Sequence, residues 1–306
     1  MFVNTEKKYI WKNSSFHKWD DSNIHILSHT LHYGTGVFEG VRAYMTERGP
    51  AIFRLHDHTK RLFDAASKIS LKIPFSEKKL NKAQCDTLNK NNLKEGYLRP
   101  IVYLGNEGLG LRAKDLSVNV AIAAWEWPSY MDPEAKKNGI SVIKSSHQQY
   151  ENPLHSGNKI IGTYFSNTMA LHEALDNGAD EAIMLDKNGY ISEGSGENVF
   201  IVKNQSIFTP TPENCLNGIT RQSVIQIAKD LKMQIYEKNI DYDDLLSADE
   251  AFFTGTAVEI TPITTVDKQP VNNGKRGNIT KELQDKFQQI ISGEDSSYES
   301  WLTYTN

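Results

Sequence analysis

The sequence predicts an α/β fold with α+β character, divided into two mixed domains, and three observations carry that reading. At 306 residues the chain exceeds the size at which a single hydrophobic core usually stops growing. The clearest break in composition is Trp127-Pro128-Ser129-Tyr130-Met131-Asp132-Pro133, where two prolines bracket a short polar stretch. On either side, apolar patterning gives many strands with few helices between them, which argues against a simple doubly wound parallel sheet. We therefore place a small N-terminal α/β domain at 1–128, a linker at 129–136 and a larger C-terminal domain at 137–306.

Taken in order, Gly36 to Tyr44 and Ala51 to Arg54 read as strands, and Leu55 to Ser70 as a helix with Leu62, Ala65, Ala66 and Ile69 on one side. Leu98 to Leu104 and Ser117 to Trp125 read as buried strands. Past the linker, Ile140 to Ile143 is strand-like, and Gly162 to Asn177 has helical spacing through Phe165, Met169, Leu171, Ala174 and Leu175. Glu181 to Leu185 and Tyr190 to Ser192 flank Asp186-Lys187-Asn188-Gly189, a hairpin in which Asn-Gly supplies the positive φ angles of a tight turn. Glu197 to Val202 and Ser206 to Thr209 continue as strands. Thr220 to Leu231 is a helix with Thr220 as its N-cap, and Glu250 to Thr254 is a final buried strand.

Composition narrows the function. Net charge is −4 with Lys and Arg dispersed, so neither nucleic acid nor an anionic membrane is an expected partner. The two cysteines, Cys85 and Cys215, are far apart and lack CxxC spacing, which excludes a disulfide framework and fits a reducing compartment. With no signal-like apolar run at the N-terminus and no stretch of 18 apolar residues, a cytoplasmic location is expected. His29/His32 and His56/His58 are the close histidine pairs, and without HExxH or clustered cysteines no metal site is expected. GxGxxG and GxxxxGK[ST] are both missing, which disfavours nicotinamide and P-loop chemistry.

Lys159 stands out because the twelve residues after it, Ile160 to Leu171, carry no charged side chain. A lysine entering such a segment either snorkels to the surface or is desolvated, and desolvation lowers its pKa toward an amine that attacks carbonyls to form a Schiff base. Glu193-Gly194-Ser195-Gly196-Glu197-Asn198 follows the hairpin. It is either a flexible loop with solvated carboxylates, or a close backbone approach to a flat ligand with Glu193 against a pyridine nitrogen. Its glycines flank Ser195 too closely for a GxSxG nucleophile. Leu216-Asn217-Gly218-Ile219-Thr220-Arg221 leads into a helix, a junction that is an ordinary cap or an anion site, and the turn Gly255-Thr256-Ala257 could likewise present amides to an anion. Phe38-Glu39-Gly40-Val41-Arg42-Ala43-Tyr44 and Tyr97-Leu98-Arg99-Pro100 each set an arginine among apolar neighbours, to be paired by an internal carboxylate or by a substrate acid.

These segments, in this order along nearly the whole chain, resemble the fold-type IV pyridoxal-phosphate enzymes and, through the Arg42 and Arg99 motifs, their branched-chain amino acid aminotransferases. The resemblance implies two mixed α/β domains, the C-terminal one binding the cofactor, with pyridoxal 5'-phosphate at their interface. It implies ping-pong transfer of the amino group of L-leucine, L-isoleucine and L-valine to 2-oxoglutarate. Lys159 would carry the cofactor and shuttle the proton. Glu193 would pair with the pyridine nitrogen, Tyr164 with the ring hydroxyl, and Arg61, Ile219, Thr220 and Thr256 with the phosphate. Asn198 would belong to the same cofactor site. Tyr97, Thr256 and Ala257 would bind the α-carboxylate, while Phe38, Tyr33, Tyr130, Tyr164 and Leu111 would wall an apolar pocket. Arg99, with Arg42, Tyr33 and Tyr130, would take the distal carboxylate of glutamate. A homodimer or an assembly of dimers is implied as well, one subunit's loop completing the other's pocket.

The chain departs from the family form in 148–158, at Thr163, and at Leu109-Gly110-Leu111; these positions bear on substrate preference rather than on fold or cofactor. The same fold also serves D-amino acid aminotransferases and aminodeoxychorismate lyases, against which Arg42 and Arg99 count. A non-catalytic relative would lack the visible absorbance of a bound pyridoxal.

Overall fold

A computed structural model describes residues 8–127, 134–150 and 157–305. The strands are β1 (Tyr9–Lys12), β2 (Ser15–Lys18), β3 (Gly36–Phe38), β4 (Val41–Thr46), β5 (Gly49–Phe53), β6 (Gly96–Leu104), β7 (Val118–Trp125), β8 (Ile140–Lys144) and β9 (Glu181–Leu185). They continue with β10 (Ile191–Glu193), β11 (Asn198–Lys203), β12 (Ser206–Thr209), β13 (Gln234–Glu237), β14 (Glu250–Gly255), β15 (Glu259–Val266), β16 (Gln269–Pro270) and β17 (Leu302–Tyr304). The α-helices are α1 (His29–Tyr33), α2 (Leu55–Lys68), α3 (Glu77–Lys90), α4 (Ala135–Asn138), α5 (Tyr164–Asp176), α6 (Ile219–Asp230), α7 (Tyr242–Leu246) and α8 (Asn278–Ile291).

The chain divides into two compact units, neither continuous in sequence: Met1–Pro128, Asn158–Thr163 and Gln289–Asn306 form one, Ser129–Gly157 and Tyr164–Gln288 the other. A single cut near residue 128 therefore misses two returns of the chain. Hydrogen bonding explains both. Ile160 bridges to Val37, and β17 pairs antiparallel with β5.

The first unit holds an antiparallel sheet in the order β17-β5-β4-β6-β7-β1-β2, with β3 also paired to β6. One face is covered by an apolar cluster that includes Val41, Ala43, Leu98, Val102 and Ile122 with Leu62, Ala65, Ala66, Leu80 and Leu88. The alternating apolar residues of β4 and β6 meet the stripe of α2 there, as the 2-residue and 3.6-residue periods require. Helix α3, which sequence reading leaves unassigned, starts where the Ser76 side chain accepts the Lys79 amide at 3.2 Å.

The second unit holds a mixed sheet in the order β10-β9-β8-β15-β14-β11-β12-β13, with β16 paired to β15. Strand β8 runs parallel to both β9 and β15. Four expectations change here. The β9–β10 turn uses one left-handed residue, Gly189 at φ 87°, while the Asp186 carboxylate accepts the Asn188 and Tyr190 amides. Helix α5 buries Asn167, Ala170 and Ala174, and it leaves Phe165 72% and Leu175 54% exposed. Small residues win because the helix lies close over Ala182 and Met184 of β9. The N-cap of α6 is Gly218, so Thr220 is its second helical residue rather than its cap. Strand β14 is not the last: β15 follows it in a hairpin with Gly255 opposite Glu259.

Candidate active site

In the first unit the chain around Lys159 is fastened to β3. The Phe38 amide donates to the Lys159 carbonyl at 3.1 Å, and the Gly162 amide to the Gly34 carbonyl at 3.1 Å. Only glycine allows this approach. A Cβ on Gly34, which sits at φ +65°, would lie 2.5 Å from the Gly162 Cα. The bonds aim the Lys159 amine at Phe38, with Nζ 5.2 Å from the ring centroid. Removal from water is the main cause holding the Lys159 pKa below the ordinary lysine value. The positive charge of Arg61 adds to it, against the opposing pull of Glu39 and Tyr97.

Arg99 approaches the same Phe38 ring, its Cζ 4.8 Å from the centroid, and its Nη2 lies 3.4 Å from the Tyr97 hydroxyl. The Arg99 Nε is buried and has no hydrogen-bond partner among the described residues. Tyr97 is wedged against Trp127 and Trp125, with ring centroids 4.6 and 5.3 Å away. Its hydroxyl fills the space a side chain on Gly40 would need, 1.8 Å from the position of a Cβ there. Arg42 donates from Nη2 to the Trp127 carbonyl at 3.2 Å and faces the Tyr44 ring.

Beside the lysine lies a buried ionic cluster. Arg61 grips Glu39 with two bonds, Nε to Oε1 at 2.6 Å and Nη2 to Oε2 at 2.9 Å, and His58 Nδ1 is 2.8 Å from Oε2. Burial pushes the Glu39 carboxyl up, yet the charges and hydrogen bonds of Arg61 and His58 prevail and hold it well below the usual carboxylate range. His58 is held below its ordinary value by burial, which outweighs Glu39. Breaking a pair so enclosed costs about 3–5 kcal/mol, because one charge is left buried and uncompensated.

In the second unit, Glu193 ends β10 with 6% of its surface exposed. Its Oε1 accepts from Gln149 Nε2, and its Oε2 from the Leu216 amide at 3.1 Å and from Asn198 Nδ2 at 3.4 Å. Asn198 also donates to the Leu216 carbonyl at 2.7 Å, so one side chain ties the carboxylate to the loop before α6. That loop needs Gly218, where a Cβ would fall 2.0 Å from Asn198 Oδ1. Ile219 and Thr220, both buried, open α6, whose first-turn amides have no acceptor within the helix. Arg221 anchors the turn through the Pro210 carbonyl at 2.7 Å and Glu237 at 2.6 Å. Thr256 and Ala257 form the β14–β15 turn. Next to it, the Thr254 hydroxyl, in register with Asn198, is buried with no partner among the described residues.

The structure thus gathers Lys159, Phe38, Arg61, Tyr97 and Arg99 in the first unit. In the second, Glu193, Asn198, Ile219 and Thr220 come together, with Thr256 and Ala257 on the neighbouring hairpin. Tyr164 begins α5. Tyr33 and Leu111 are 38% and 86% exposed and enclose nothing by themselves. Tyr130 and residues 151–156 lie outside the described residues. Three contacts had no role in the sequence reading: Glu39, His58 and Gln149. Glu39 and His58 carried a signal, a buried-looking carboxylate beside Gly40 and a histidine three residues before Arg61 on one helix face, whereas nothing marked Gln149.

These residues fit a pyridoxal phosphate. Each unit taken by itself offers groups of the kind that cofactor needs: in the first an amine with a lowered pKa, in the second an enclosed carboxylate accepting on both oxygens, a buried Thr254 hydroxyl and a buried helix start. Among the described residues no group of His, Cys, Asp and Glu is placed to hold a metal ion, and no helix is long and apolar enough to cross a membrane.

Comparison with known proteins shows the family. The profile described as amino-transferase class IV matches residues 36–266. The branched-chain-amino-acid aminotransferase of Pseudomonas aeruginosa is 47% identical over 295 residues, 96% of each chain. The crystal structure of the Escherichia coli branched-chain amino acid aminotransferase superposes with a TM-score of 0.96 at 39% identity, covering 98% of this chain and 100% of that one. A branched-chain amino acid aminotransferase from Thermoproteus uzoniensis, solved with norvaline, gives 0.93 at 37% identity, covering 98% and 99%. Another solved branched-chain amino acid aminotransferase, complexed with N-(5'-phosphopyridoxyl)-L-glutamate, gives 0.94 at 39% identity, again covering 98% and 99%. By the match over residues 36–266 and the identity along nearly the whole chain, the chain belongs to the class IV aminotransferases, in their branched-chain-amino-acid aminotransferase group.

Proposed function

We propose that the protein transfers the amino group of L-leucine, L-isoleucine and L-valine to 2-oxoglutarate, giving the branched-chain 2-oxo acids and L-glutamate in two ping-pong half-reactions. The observation that carries this reading is the Lys159 amine, its pKa lowered by burial and by Arg61, set against Phe38 beside Arg99. Pyridoxal 5'-phosphate, when bound, supplies an aldehyde for the amino group and a ring that draws electrons from the α-carbon.

The chain's own groups do the rest. Lys159 holds the cofactor and, once released, takes the proton from the substrate α-carbon and returns it on the other side of the transfer. A lowered pKa favours the uncharged amine that accepts this proton. Glu193, fixed by Gln149, Asn198 and the Leu216 amide, keeps a proton on the ring nitrogen. Arg61, Ile219, Thr220 and Thr256 bind the phosphate, Tyr164 the ring hydroxyl, and Asn198 braces the site. Tyr97, Thr256 and Ala257 take the α-carboxylate.

One pocket must accept an alkyl chain and a carboxylate in turn. Phe38 offers the apolar wall, and Arg99 lies on that wall with an unpaired buried Nε, so a distal carboxylate meets a donor already desolvated. Arg42 supports it from β4. The phosphopyridoxyl glutamate bound by one of the solved relatives supports glutamate as one of the two partners.

Tyr33 and Leu111 enter this proposal through a second copy of the chain. Leu31, Tyr33, Leu109 and Leu111 are exposed, and His29 Nε2 lies 3.3 Å from the Gly110 carbonyl, which brings their two segments side by side. Exposed apolar residues so gathered fit an interaction surface, and we assign them to a homodimer in which they wall the partner's pocket. Cysteine usage supports a cytoplasmic location: both thiols are unpaired.

An amino-donor panel with 2-oxoglutarate tests the assignment. Turnover is expected with L-leucine, L-isoleucine and L-valine. Activity confined to D-alanine, or pyruvate release from aminodeoxychorismate, would reject it.

A further inference from the structure

We propose that Glu39 is a positioning residue for phosphate binding: together with His58 it fixes the Arg61 guanidinium in the orientation that meets the cofactor's phosphate. The inference rests on the assignment of Arg61 to that phosphate in the proposed function.

Three groups hold the Glu39 carboxylate: the Arg61 fork, the His58 ring and the Gly40 amide. Arg61 Nε reaches Oε1 at 2.6 Å; Arg61 Nη2, His58 Nδ1 and the Gly40 amide reach Oε2 at 2.9, 2.8 and 3.2 Å. The backbone is held too, the Glu39 amide donating to the Pro100 carbonyl at 2.8 Å. Glu39 and His58 are each 1% exposed, so neither can swing away. His58 and Arg61 stand three apart on α2 and face the same way.

Two parallel bonds to a planar fork set the plane of the guanidinium as well as its position. An arginine binding an anion ordinarily surrenders the freedom of a long side chain at that moment. Here the freedom is already surrendered on folding, which leaves more of the binding energy for the ligand.

A buried ion pair that serves only the fold would respond differently from one that positions Arg61 for an anion. Full-length protein is stripped of cofactor and titrated with pyridoxal phosphate and with pyridoxal, which lacks the phosphate, in wild type, Glu39→Gln, Arg61→Gln and the double variant. Glu39→Gln is expected to weaken pyridoxal phosphate binding about tenfold or more while changing pyridoxal binding less than about twofold. The double variant should bind within about threefold of Arg61→Gln, because Glu39 acts through Arg61. Multiplying losses, equal losses for both ligands, or unchanged binding in Glu39→Gln would overturn the proposal while leaving Arg61 in its role. Unchanged binding in Arg61→Gln would remove the assignment of Arg61 and the proposal with it. If Glu39→Gln does not fold, Glu39→Asp, which keeps the charge but withdraws it by one methylene, takes its place. A phosphate-specific loss is then expected, and wild-type binding would overturn the proposal.

Discussion

Replacing Gly40 with alanine should damage the substrate site without touching a group that does chemistry. The added Cβ would lie 1.8 Å from the Tyr97 hydroxyl oxygen and 2.7 Å from its ring carbon, where ordinary contact begins near 3.4 Å, so the ring must retreat by about 1.6 Å. It has nowhere to go. Tyr97 is 6% exposed and stands 4.6 Å from the Trp127 ring centroid and 5.3 Å from that of Trp125. Overpacking of this kind costs about 1–3 kcal/mol, or several degrees of melting temperature at ~2–4 °C per kcal/mol. Gly196→Ala is the control, since its Cβ would meet nothing within 4 Å, and its melting temperature should stay near wild type. Because Tyr97 is assigned to the α-carboxylate, which leucine and glutamate share, kcat/KM should fall at least about tenfold for both donors alike. Steady-state kinetics and thermal melts of the two variants decide the matter. A Gly40→Ala enzyme that melts with wild type and keeps its kcat/KM would show that the Gly40–Tyr97 packing positions nothing.

Other variants probe the remaining groups. Lys159→Met should abolish turnover and the borohydride-reducible attachment of the cofactor; a pyridoxyl group trapped on another lysine would displace Lys159 from its role. The folded pKa of Lys159 lies below the ordinary 10.5. Between that lowered value and 10.5 the unfolded chain therefore binds a proton the folded chain lacks, and stability rises with pH across that window. Cofactor-free Lys159→Met should accordingly melt above cofactor-free wild type at neutral pH, with an advantage that shrinks toward pH 10.5; a gap that does not change with pH would contradict the burial argument. Arg99→Met should reduce the glutamate half-reaction about tenfold more than the leucine half-reaction in single-turnover measurements, and equal losses would argue against a shared pocket. Glu193→Gln keeps the shape but not the charge and should lower kcat by a factor on the order of 10² to 10³ with cofactor still bound; a rate near wild type would take the ring-nitrogen role from Glu193.

The fold class and the local signals of the candidate site were legible in the sequence, while several elements and every long-range partner were not. Lys159 showed itself by the uncharged run after it, and Glu193 by its glycines, because both signals are local. Helix α3 was missed since its buried face mixes Leu80 and Leu88 with Gln84 and Thr87, blurring the apolar period. The β1–β2 hairpin was missed although Asn13 and Ser14, at φ 48° and 80°, make its turn. Strand β15 was hidden by Pro262, which argues against a central strand. It is tolerated because Pro262 lies opposite Phe252 of β14, while the pairing to β8 begins only at Ile263. The long-range partners of Glu39 and Glu193 could not be read at all, since each depends on residues many positions away that only the fold brings near.

The returns of the chain at Asn158–Thr163 and Gln289–Asn306 bear on how the protein is made. Translation proceeds from the N-terminus, so the sheet that carries Phe38, Tyr97 and Arg99 emerges from the ribosome early, yet its edge at β5 stays uncovered until Leu302–Tyr304 are synthesised. Neither unit corresponds to a fragment that one stop codon could release intact. A premature stop would leave an open strand edge, of the kind that recruits other chains into aggregates.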